Sequence, residues 1–116
     1  MNVGILINKI KEKPDTVEFD EVMDVIANYY DFTPTEFING PLKNKAGENS
    51  GSCQLFRFAQ QHRLTESQTL ACFGHYYRDD VLKNPDADNH QNIRHFMETG
   101  WQGISFQGEP LRQKIT

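Results

Sequence analysis

The sequence predicts an all-α single domain, residues 1–116, built as a bundle of about five helices with an irregular loop over 32–52 and an irregular C-terminal tail. Three observations carry this prediction. Apolar residues recur at helical spacing, most clearly at Phe19, Val22, Met23, Ile26 and Tyr30, which trace one face of an amphipathic helix. Breakers and caps such as Pro14, Asn39-Gly40, Asn84-Pro85 and Gly100 fall between the apolar stripes rather than within them. Finally, eight Phe, four Tyr and one Trp in 116 residues supply enough apolar area for one core, which excludes disorder over the whole chain.

The elements follow in order. Val3, Ile5, Leu6 and Ile10 form the first stripe, with Lys9, Lys11 and Lys13 at its C-terminal end and Pro14 as its stop. Asp15-Thr16 opens the next unit, whose Asp20, Glu21 and Asp24 suit the positive end of a helix dipole. Pro34 cannot lie inside a helix, but it can start a short one with Thr33 as cap. That piece ends at Asn39-Gly40. The polar run Asn39 to Ser52 then leads into a helix carrying Cys53, Leu55, Phe56, Phe58 and Ala59, with Ser50 or Ser52 as N-cap. Thr65 and Gln68 have capping-box spacing ahead of a stripe at Leu70, Phe73, Tyr77 and Val81. Gly74 inside that stripe implies close packing against another backbone. Asp86 or Asp88 caps a last helix with Ile93, Phe96 and Met97. Trp101, Ile104 and Phe106 then anchor the tail. A small hairpin between Phe32–Ile38 and Ile104–Phe106 is compatible with the pattern but not required by it.

Composition narrows the function. The net charge is −4 and no basic run interleaves with aromatics, which disfavours nucleic acid. No apolar stretch reaches membrane-spanning length, and the N-terminal segment lacks the apolar run and cleavage site of a signal peptide. Two cysteines, Cys53 and Cys72, match neither a disulfide framework nor a zinc pattern, so a cytoplasmic protein with reduced thiols is expected.

Several constellations could carry chemistry. Cys53, in the first turn of a helix, could be a thiolate nucleophile with His62, His75, His90 or His95 as its base. Set against that is its apolar setting, which reads as core. His90 and Arg94, four residues apart, could line a pocket for an anionic ligand; the plainer reading is a solvated face with an ion pair to Asp79 or Asp80. His75, His90, His95 and Asp79 could meet around a metal, yet no ligand motif such as HExxH is present, and neither a metal nor a cofactor is expected. Gly47-Glu48-Asn49-Ser50-Gly51-Ser52 lacks the Gly-Lys-Ser/Thr ending of a phosphate loop and reads as a helix cap.

Four blocks of the chain resemble the HopJ family of type III effector proteins. They are Tyr30 to Gly40; Gly47 to Asn49 with Gly51 to Cys53 and Leu55 to Gln60; Phe73 to Asp79; and His90 to Met97 with Gly100 to Ile104. The resemblance spans nearly the whole chain. It implies a small helical domain and secretion by a type III route, and it carries no catalytic residues with it.

The expected function is therefore a non-catalytic binding or effector-like module with a protein partner. The partner would dock on Asn39, Glu48, Asn49, Arg78, His90, Asn92 and Arg94. The alternative is a thiol-dependent hydrolase or transferase built on Cys53, with His75 or His90 as partner.

Overall fold

The computed structural model describes residues 1–115, and the all-α expectation is corrected: the fold is mixed α/β. Five α-helices are present among the described residues: α1 (Val3–Glu12), α2 (Phe19–Tyr29), α3 (Ser50–Gln61), α4 (Glu66–Ala71) and α5 (Gln91–Thr99). With them are five strands, β1 (Tyr30–Phe32), β2 (Phe37–Asn39), β3 (Leu42–Asn44), β4 (Ile104–Phe106) and β5 (Leu111–Gln113). The strands form two antiparallel sheets, one of β1 with β5 and one in the order β3-β2-β4. The segments expected to be irregular, 32–52 and the tail, thus supply most of the strands. Each strand is only three residues long, too short for alternation to register as a pattern. Two of the three pairings also join segments far apart in sequence. The pairing that the pattern merely allowed is present at Phe37↔Phe106 and Ile38↔Ser105, and it continues to Asn39↔Ile104. Between Thr33 and Glu36 the chain is not the short helix expected there, and Thr33 N donates to Pro110 O at 2.8 Å.

The core centres on α3. Phe56 is fully buried, and its ring meets those of Phe37, Phe73, Phe96 and Trp101 at centroid distances of 6.2, 5.5, 4.9 and 6.5 Å. These are edge-on and tilted arrangements favoured by the ring quadrupoles. Leu55, Phe58 and Ala59 are buried with Phe56, in one core cluster that also holds Leu6, Ile10, Val22, Ile26 and Leu111.

Capping explains where several elements start. Asn2 Oδ1 accepts from Ile5 N at 2.8 Å to begin α1. The Thr65–Gln68 capping box forms as spaced, with bonds of 2.9 and 3.1 Å. The helix expected to run on through Val81 instead breaks after Ala71. Gly74 lies at φ 61, and a Cβ there would meet Glu18 Cα and Phe19 N at 2.9 Å. The close packing expected of Gly74 is therefore real, and it ends the helix. The chain re-forms as a π-helical turn over Tyr76–Val81.

Candidate functional site

An open groove of about 700 Å³ lies where β3, α3, the π-helical turn and α5 converge. Phe19, Leu42, Phe73 and Ile93 form its apolar part. Tyr76, His90, Asn49, Ser52, Gln91 and Asn92 bring polar atoms to it. The volume is in the range of ligand sites.

The backbone around the groove departs from the regular forms. Asn49 and His90, at φ 50 and 53, are the N-cap residues of α3 and α5, and both line the groove. Only one other non-glycine residue among those described, Arg63, has a positive φ. The π-helical turn supplies Tyr76, and π-helical turns are rare and concentrate at functional sites. The caps expected from Ser50, Ser52, Asp86 or Asp88 are not used: neither α3 nor α5 has a side-chain cap or an acidic residue in its first turn. Non-glycine residues in the left-handed region cost of order 1–3 kcal/mol each and persist where function or packing holds them.

Below the groove an asparagine cluster fixes its floor. Asn39 and Asn44 are buried and Asn92 nearly so. Asn39 Nδ2 donates to Asn92 O at 2.8 Å and to Asn92 Oδ1 at 3.0 Å. Asn44 Nδ2 donates to Asn92 Oδ1 at 3.2 Å and to Phe37 O at 3.5 Å. Asn44 Oδ1 accepts from Asn92 Nδ2 at 3.0 Å and from Asn49 Nδ2 at 2.7 Å. Asn39 Oδ1 is buried without a partner. The cluster ties β2, β3, the start of α3 and the start of α5 into one rigid corner. Low surrounding polarity strengthens such bonds.

Of the residues singled out from sequence, Asn49, His90 and Asn92 line the groove and Asn39 lies beneath it. His90 Nε2 lies 3.0 Å from Asp80 Oδ2, so the contact to Asp80 of the plainer reading is present as a hydrogen bond, and its ring is 5.3 Å from that of Tyr76. Glu48 is in the loop ahead of α3, where Oε1 accepts from Lys45 N at 2.8 Å. Arg78 and Arg94 serve neighbouring loops. Arg78 donates to Val17 O at 2.8 Å, Pro14 O at 3.3 Å and Glu18 Oε2 at 3.2 Å. Arg94 donates to Asn89 O at 2.6 Å, Asn89 Oδ1 at 2.8 Å and Pro85 O at 3.3 Å. The anion pocket built on His90 and Arg94 thus has its guanidinium engaged by carbonyl oxygens.

The cysteine reading meets its burial. Cys53 is 1% exposed, its Sγ lies 3.7 Å from Thr35 O, and burial pushes its thiol up to about 11. A nucleophilic thiol needs the opposite shift. Burial pushes Cys72 to about 12. The histidines proposed as its base or as metal ligands take separate places. His75 Nδ1 is 3.4 Å from Glu18 Oε1, His90 pairs with Asp80, and His62 Nε2 is 2.6 Å from Tyr30 Oη. His95 Nδ1 is buried without a partner.

Sequence reasoning missed Phe19 and the role of Ser52. Phe19 reads as one more core aromatic, while Gln91 lies on the polar helix face beside His90, inside the His90 to Met97 block. The αL caps offered the one available signal, since Asn is among the residues that tolerate positive φ.

Comparison with known proteins adds identity of type. The family described as HopJ type III effector protein matches residues 4–111. A solved structure titled "Crystal structure of unknown function protein VPA0580" is similar with a TM-score of 0.97 and 46% identity, covering 98% of this chain and 95% of that one. No curated protein matches.

Proposed function

The chain belongs to the HopJ family, and we propose that it works as a binding module whose groove receives a short segment of a partner protein. One observation supports this above the rest: the left-handed caps of α3 and α5 and the π-helical turn border a single groove. Backbone strain held at one place by a buried asparagine cluster fits a site kept open for a ligand. The apolar part of the groove suits the stem of one long anchoring side chain, while the amide, hydroxyl and imidazole groups around it suit that side chain's polar end and a peptide main chain. The burial of Cys53, with its thiol raised, favours this non-catalytic reading over a thiol-dependent enzyme.

The test is a selection of displayed random peptides on the folded protein, followed by mapping of the winners with ¹⁵N-labelled protein. Shifts concentrated at Asn49, Ser52, Tyr76, His90 and Gln91 are expected. Ser52→Trp, which fills the groove, is expected to abolish binding while leaving the circular dichroism unchanged. Peptides that shift residues elsewhere, or that bind Ser52→Trp as well, overturn the reading. The family's description also makes delivery by a type III route part of the proposal. A translocation reporter fused to the chain tests it, with loss of signal expected in a strain lacking that secretion apparatus. No helix among the described residues is long and apolar enough to cross a membrane.

A further inference from the structure

The hydrogen bonds around the groove orient its polar side chains. Carbonyl or carboxylate partners fix the orientation of three of its lining side chains, and each is left with an uncommitted acceptor.

Asn49 is the first. Main-chain carbonyls anchor the cluster below it: Asn92 O accepts from Asn39 Nδ2, and Phe37 O accepts from Asn44 Nδ2. With Asn44 Nδ2 held this way, Asn44 Oδ1 faces the donors, so Asn49 must turn its Nδ2 inward. Asn49 Oδ1 then has no partner among the described residues. Gln91 is the second: its Nε2 donates to the main-chain oxygen of Asp88, which leaves Oε1 over. His90 is the third. Asp80 accepts only, so Nε2 is the nitrogen that donates, and a ring with a single proton has Nδ1 as an acceptor. The rings of Tyr76 and Phe19 line the same groove, Tyr76 lying between the rings of His75 and His90 at centroid distances of 4.2 and 5.3 Å, and no Lys or Arg lines it.

Three acceptors beside aromatic rings, with no Lys or Arg among the lining residues, match a planar group rich in N–H donors. On these grounds we infer that the anchoring side chain of the partner segment is an arginine, its guanidinium stacked on Tyr76 and donating to Asn49, His90 and Gln91. A guanidinium has five donors and no acceptor, and it stacks on aromatic rings. This inference rests on the groove being the binding site.

The experiment titrates N-acetyl-arginine amide, N-acetyl-citrulline amide and N-acetyl-glutamate amide into ¹⁵N-labelled protein. The arginine compound is expected to shift Asn49, Ser52, Tyr76, His90 and Gln91 and to bind about tenfold more tightly than citrulline, because charge-assisted bonds exceed neutral ones. The glutamate compound tests the opposite chemistry, an anion on the main-chain N–H groups that begin α3 and α5, and is expected to leave these residues unshifted. Gln91→Glu is expected to tighten arginine binding and Gln91→Met to weaken it. Equal or tighter binding of citrulline or glutamate overturns the inference, and so does an arginine titration that shifts none of these residues. Selected peptides that map to the groove but lack arginine overturn the inference and leave the groove reading standing; peptides that map elsewhere overturn both.

Discussion

Two ends of the molecule treat polar side chains in opposite ways. Where α3 meets the C-terminal strand, they are used up internally. Arg57 donates to both carboxylate oxygens of Glu109 at 2.7 and 2.6 Å and to Gln60 Oε1 at 2.7 Å. Gln61 Nε2 reaches Leu111 O at 3.0 Å, and Tyr30 bonds His62. Around the groove, Asn49, Gln91, His90, Ser52 and Tyr76 keep atoms uncommitted, and two backbone positions are strained. The first end is a clasp that closes the fold, and the second has the marks of a surface kept ready at some cost to stability. Mutations at the two ends should therefore separate stability from recognition.

Phe56→Ala is the change expected to erase the distinction. Phe56 touches rings from β2, α5, the turn after α4 and Trp101, so the cavity would weaken both ends at once. A loss of about 3–5 kcal/mol is expected in urea unfolding. A loss below about 1 kcal/mol would mean that the core does not centre on this ring.

Next in size is the clasp. Glu109→Ala leaves the Arg57 guanidinium, about a quarter exposed, without its bidentate partner. A destabilisation of about 1–2 kcal/mol is expected, above the usual surface ion pair because the geometry is bidentate. Peptide binding at the groove should not change. A shift in groove affinity on Glu109→Ala would show that the two ends are coupled after all.

Acid should open the clasp in two stages. Burial lowers the pKa of His62, so its neutral form belongs to the folded state. That contribution is complete above the unfolded value near 6.5 and is lost as pH falls through the folded one. The Arg57 hydrogen bond holds Glu109 below its usual range, so its contribution disappears only at more acidic pH. Urea midpoints should decline from about pH 6.5 downward, and again below about pH 4.5. His62→Gln should flatten the first stage and spare the second. An unchanged pH profile in that variant would remove His62 as its cause.

The sequence revealed the two ends unequally, for physical reasons. Long periodic stripes made α1, α2 and α3 readable, and the Thr65–Gln68 box could be read because capping is local. The strands could not be read, since three residues carry no period and their partners lie far along the chain. Asn39, Asn49, His90 and Asn92 stood out by residue type, but their convergence depends on the β2–β3 hairpin and on the break at Gly74. Arg57–Glu109 and Tyr30–His62 were invisible, because nothing local marks a bond made across the fold.

The smallest expected effect on stability is the most decisive for the comparison. His90 holds φ 53 at the N-cap of α5, a conformation that glycine adopts without strain. His90→Gly removes the bond to Asp80, whose two partners are both partly exposed and so contribute little. Relief of strain and the greater freedom of glycine in the unfolded chain act in opposite directions. The net change in unfolding free energy is expected to stay within about 0.5–1 kcal/mol. Groove binding should nonetheless fall by about fivefold or more, since one acceptor and one aromatic face are lost. Equal binding in wild type and variant, with stability reduced by about 2 kcal/mol or more, would make His90 a structural residue. The groove would then lose its claim to be the less stable, more functional end.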